Sequence, residues 1–92
     1  MLEKLLMEYI TNSRNIISSE GLEGIFHYLE HGEYEMSFEG LVIELYSIGK
    51  YPIDFNFDKW RYTAISLGLD TESVFDDQFW NKFNDWGSAY SY

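Results

Sequence analysis

Apolar residues recur at three- and four-residue intervals along most of this chain, which is the period of helices that bury one face. From about Leu2 to Ile17, Leu2, Leu5, Leu6, Tyr9, Ile10, Ile16 and Ile17 fall near one side and predict a first helix. Ser18 and Ser19 then offer an N-cap for a second, with Glu20 and Glu23 in its first turn, where the helix dipole favours negative charge. Its buried set is Leu22, Ile25, Phe26 and Leu29, spaced i, i+3, i+4, i+7. Gly32 is placed to close it. A third helix is expected from about Glu33 to Ile48, with Tyr34, Phe38, Leu41, Leu45 and Ile48 as its stripe and Gly49 and Pro52 as its stop.

Asn56 can cap a fourth helix carrying Phe57, Trp60, Ala64 and Leu67, closed by Gly68. Asp70 can cap a short turn from Thr71 to Val74, and Asp76 or Asp77 a last helix with Phe79, Trp80, Phe83 and Trp86. GSAYSY, residues 87–92, carries no pattern, and the chain is expected to fray from about residue 86 on. The one run that reads as a strand, YPIDFNF at 51–57, has no second strand to pair with. Short connections favour antiparallel neighbours, so residues 1–92 read as one all-α domain, a compact four- to five-helix bundle.

The third helix is unusual. Met36 and Ile43 lie away from its core stripe, near Glu39, and Val42 and Tyr46 flank it. Either it is the central, mostly buried helix, or that side is an acid-and-aromatic surface for another protein; both hold if only the edge of Glu35, Glu39 and Tyr46 is exposed.

Charge sharpens the question. Sixteen acids stand against six bases in 92 residues, a formal charge of −10. Yet 46% of residues are hydrophobic and 20% aromatic, which is the make-up of a folded domain and not of a solvating tail. Such a charge opposes binding to nucleic acid or anionic membrane and speeds association with a basic partner. Between Arg14 and Lys50 there is no base and there are seven glutamates, at 20, 23, 30, 33, 35, 39 and 44. Glu23, His27 and Glu30 form one helical row, and Glu35, Glu39 and Tyr46 another. Like charges at i, i+4 destabilise a helix by a few tenths of a kcal/mol each, so the pattern runs against local stability.

Catalytic chemistry finds little to use. There is no cysteine, hence no thiol nucleophile or cysteine-held zinc, and no phosphate loop, GxSxG or EF-hand loop. Asp76 and Asp77 are better explained as caps than as an acid–base pair. His27 and His31, spaced i, i+4, could face a metal with a nearby glutamate, but the segment between them is not the HExxH pattern, and two surface histidines paired with glutamates near a helix C-terminus explain them better. The expectation is a non-enzyme without cofactor or metal. Without a visible signal peptide or a membrane-length apolar run, it is read as soluble and cytoplasmic.

Residues 25 to 86 resemble small bacterial immunity proteins of toxin–immunity pairs, nearest to the MafI-like group and the immunity proteins of contact-dependent growth inhibition. The likeness rests on His27, Tyr28 and His31, the EYEMSFEG run at 33–40, LGLD at 67–70 and SVFDDQFW at 73–80. It implies a short, acidic, helical protein that neutralises the C-terminal domain of a cognate toxin, commonly a basic RNA-cleaving nuclease of the EndoU or another type. The toxin-binding residues expected on that footing are Glu23, Glu30, Glu35, Glu39 and Tyr46, with His27 and His31 at the rim and Asp54 and Asp58 beside Trp60 as a second patch. Monomer or weak homodimer is expected. The other readings are a metal-binding or hydrolytic domain built on His27 and His31, a generic acidic adaptor for a basic partner, and a mimic of DNA charge.

Overall fold

The structure is a computed structural model that describes residues 1–91. Five helices follow one another: α1 (Leu2–Ser13), α2 (Ser19–Glu30), α3 (Tyr34–Ile48), α4 (Phe57–Ser66) and α5 (Phe79–Ser88). No strand occurs among the described residues, so the fold is the all-α bundle that the periodicity predicts. None of its helices is long and apolar enough to cross a membrane. The Cα radius of gyration is 11.8 Å, close to the ~12 Å of a chain this long folded round one core.

The helix boundaries follow local chemistry. The Ser18 hydroxyl accepts the Gly21 N–H at 3.1 Å at the start of α2, and Asn56 Oδ1 accepts the Lys59 N–H at 3.1 Å at the start of α4. Gly32 and Gly49, at φ 71° and 65°, end α2 and α3 in the left-handed conformation that a side chain disfavours. The predicted first helix is too long: α1 stops at Ser13. There the Ser13 hydroxyl donates back to the Tyr9 carbonyl at 2.8 Å, and the Asn12 carbonyl takes the Ile53 N–H at 3.2 Å from the 51–57 connection. Ile17 still reaches the core, from a loop.

Helix α3 packs against α1, α2 and α5 and is the centre of the molecule. Phe38, Leu41, Val42 and Leu45 are fully buried along it. Its stripe ends there: Ile48, expected in the core, is 47% exposed. Aromatic rings make much of the remaining core. Tyr9 stacks on Trp60 at 4.3 Å, and its hydroxyl shares a hydrogen bond with Thr63 Oγ1 at 3.0 Å, so the polar end of the ring is also bonded. Phe83 meets Phe38 edge-on at 6.1 Å and stacks on Phe79 at 5.5 Å.

The end of the chain is ordered further than its sequence implies. Trp86 and Gly87 are buried, α5 runs to Ser88, and the Trp86 indole donates to the Lys50 carbonyl at 3.0 Å. Tyr51 stacks on Trp86 at 4.9 Å, and Tyr90 lies against Tyr51 and Phe55 at 4.7 and 5.1 Å. These rings supply contacts that a short tail of glycine, serine and alanine would lack. Tyr92, the last residue of the tail expected to fray, lies outside the described residues.

Candidate functional site

The two acidic rows have different fates. The row of Glu35, Glu39 and Tyr46 is not an open edge of α3, because the segment between α4 and α5 lies across it. Glu39 is fully buried. Its Oε1 accepts the Val74 N–H at 2.7 Å, and its Oε2 accepts those of Phe75 and Asp76 at 2.8 and 3.0 Å. Three successive backbone donors form a concave nest around one carboxylate, which offsets the desolvation of its charge. Glu39 therefore has no accessible oxygen for a partner, contrary to the expectation from its row. Tyr46 is half-buried, and its hydroxyl donates to Asp76 Oδ2 at 3.1 Å. Of the three, Glu35 alone stays exposed.

Asp76 is the second fastening of the same segment. Its Oδ2 also receives Lys82 Nζ at 2.8 Å, and its Oδ1 accepts the Gln78 N–H at 2.9 Å, leading into α5. Neither Asp76 nor Asp77 is the side-chain cap expected for the last helix: Gln78 stands at the N-cap position without a side-chain hydrogen bond, and Asp76 holds only the Gln78 N–H just ahead of α5. The Asp70-capped turn expected from Thr71 to Val74 is instead backbone held by Gly68 and Glu39: the Thr71 N–H donates to the Gly68 carbonyl at 3.2 Å. Lys82 and then the Gln78 amide hold the Asp76 carboxyl below its ordinary value, while burial and then the bond to Asp76 push the Tyr46 hydroxyl well above its own.

The sign of the pH dependence follows. A carboxyl with a lowered folded-state pKa stabilises the fold above its unfolded value of 3.8, and the contribution is lost as pH falls through the folded value. A tyrosine with a raised one stabilises below 10.0, and its contribution is lost at higher pH. Urea midpoints of Asp76→Asn should therefore lie below wild type at neutral pH and converge with it as the pH falls below 3.8 and through the lowered folded-state value. A constant offset down to pH 2 would remove Asp76's charge from the account.

The α2 row remains on the surface. Glu23, His27, Glu30 and His31 are all exposed. His31 Nδ1 donates to the His27 carbonyl at 2.8 Å, which fixes its tautomer, and the two rings lie 4.4 Å apart. No group of three or more His, Asp or Glu side chains among the described residues is placed to hold a metal ion. None of these four side chains is ion-paired to a base of the described residues. The ion pair among the described residues joins Lys82 to Asp76; Arg61 lies over the Trp80 ring at 5.4 Å and Lys59 near Tyr9 at 6.0 Å.

Beside the row runs a groove of about 480 Å³ between α2 and α3. Small residues create it. The Ser37 hydroxyl donates to the Ile25 carbonyl at 3.0 Å, and a Cβ on Gly40 would sit 3.7 Å from Ile25, so the helices approach closely. Gly21 and Gly24 leave the α2 wall bare, and nothing lies within 4 Å of where a Gly24 Cβ would be. Glu20 and Glu44 line one part; Tyr28, Ile43 and Phe75 line the rest. An adjoining hollow of about 330 Å³ shares Glu20, Gly24 and Tyr28 and adds Glu23 and His27. The structure thus joins Glu23 and His27 to Glu20 and Glu44, which were not singled out from sequence, and takes Glu39 and Tyr46 away. The available signal was the glycine pair at 21 and 24, spaced i, i+3 where helix propensity argues against glycine.

The second patch does not form as expected. Asp54 and Asp58 are exposed, but Trp60 is 2% exposed inside the aromatic core and offers a partner nothing. Comparison with protein-family models, with curated proteins and with solved structures gives no match to this chain.

Proposed function

We propose that this protein is a non-enzymatic inhibitor that docks a basic protein on the acid-rimmed α2–α3 face, as an immunity protein neutralises the nuclease domain of its cognate toxin. The observation that carries the reading is the set of exposed carboxylates from Glu20 to Glu35, none of which is ion-paired to a base of the same chain. Beyond the helix dipole's preference for Glu20 in the first turn of α2, stability does not call for them: like charges repel, and interspersed lysines would remove the strain. A basic nucleic-acid groove is the surface that gains most from such a face, in encounter rate above all. The likeness of residues 25–86 to immunity proteins points the same way.

The test is co-expression with the C-terminal domain of the protein encoded immediately upstream. Growth should be restored by this chain and abolished without it; continued killing in its presence ends the reading. On the purified pair, Glu20→Lys with Glu23→Lys should slow association by about 10- to 100-fold at low salt and leave the melting temperature almost unmoved. Unchanged association would place the interface on another face.

A further inference from the structure

We infer that the α2–α3 groove is a receptor for an arginine side chain of the basic partner, its guanidinium on Glu44 and its stem along Tyr28 and Phe75. The inference rests on the docking reading above and names the group that fills the groove.

Three features converge there. Glu44 is half-buried, and its carboxylate makes no hydrogen bond or ion pair with any described residue. It lies against bare backbone: a Cβ on Gly21 would stand 3.0 Å from its Oε1. A carboxylate shielded this far from water gains more from an incoming cation than one on an open surface. Further along the groove, the Tyr28 and Phe75 rings stand 5.8 Å apart and tilted by 42°. Gly21 and Tyr28 are separated by two turns of α2, a rise of about 10 Å, which suits a long side chain lying along the groove.

The third feature is the mounting of Phe75. Val74 and Phe75 are 50% and 47% exposed, so the core gains little from them. Yet their backbone N–H groups are held by a buried carboxylate, at 2.7 and 2.8 Å. An exposed ring carried on anchored backbone loses less entropy on docking than one on a free loop, and is the kind of contact that gives affinity. The aromatic faces hold the apolar stem, and the carboxylate end selects arginine over lysine: guanidinium meets a carboxylate through a planar fork and is less strongly hydrated than ammonium.

The experiment is an amide-resolved NMR titration of the full chain with Nα-acetyl-arginine amide, with the lysine and norleucine amides in parallel. Saturable shifts should concentrate at Gly21, Gly24, Gly40 and Phe75, with arginine binding at least about threefold more tightly than lysine and norleucine not at all. Glu44→Gln and Phe75→Ser should each weaken arginine by about fivefold; Phe75, being on the surface, should melt as wild type. Shifts spread over Glu3, Asp54 and Asp70, equal binding of lysine, or indifference to both substitutions would overturn the inference. The probe needs no toxin. Arginine binding without neutralisation would leave the groove assignment standing and remove the immunity reading; neutralisation with no arginine at the groove would do the reverse.

Discussion

Glu39→Ala is expected to be among the most damaging single changes in this protein, destabilising it by about 3–5 kcal/mol. The loss has two parts. Three backbone N–H groups, of Val74, Phe75 and Asp76, lose their acceptor together, and the void left in a fully buried position has no side chain to fill it. For a domain this small the melting temperature should fall by about 12 °C or more. Glu39→Gln is the sharper probe. Its amide oxygen can keep two of the donors, but its NH₂ group then faces the third, so about 2–3 kcal/mol should still be lost. Amide exchange at 74–76 should accelerate more than at Leu41 or Leu45. A fall of less than 3 °C or so for the alanine variant would mean that the carboxylate does not carry this segment.

Two glycine-to-alanine changes in helices should have opposite signs. At Gly24 the new methyl meets open space, so helix propensity decides and α2 gains about 0.5–1 kcal/mol. At Gly87 it would run into the Phe57 ring, which is itself set edge-on against Phe83 at 5.4 Å. Overpacking at such a contact costs about 1–3 kcal/mol, more than propensity returns. Thermal melts of the two variants check this directly, and a Gly87→Ala protein as stable as Gly24→Ala would contradict the packing of α5 on Phe57. A larger side chain at Gly24 then separates stability from function: it should occupy the groove and weaken docking in a chain that still melts near wild type.

The helices were legible because their apolar spacing, and for α2 and α4 their caps, are coded locally. Ser18 and Asn56 are caps, Gly32, Gly49 and Gly68 are stops, and the apolar spacing between them is helical. What was hidden depends on residues far apart in the chain. Glu39 reads as one more surface acid beside Glu35, because its partners lie 35 to 37 residues away. Tyr46 reads as exposed for the same reason, its acceptor being Asp76. Tyr90 looks like part of a frayed tail until Tyr51 and Phe55 arrive beside it. The groove escaped notice because its floor is made by missing side chains, at Gly21, Gly24 and Gly40, which leave no mark in a hydrophobic pattern. The acidic row of α2 stays exposed, whereas on α3 Glu39 and Tyr46, which seemed to await a partner, hold the chain's own loop.

The central claim is that a basic protein docks on the α2–α3 face. The most direct measurement is amide hydrogen exchange of this protein alone and in complex with the C-terminal domain of the upstream-encoded protein. Added protection is expected around Gly21, Gly24 and Tyr28 and at Val74 and Phe75, and should be lost together with binding in Glu20→Lys/Glu23→Lys. Protection confined to the α4 side, around Ile53, Tyr62 and Ile65, would contradict it.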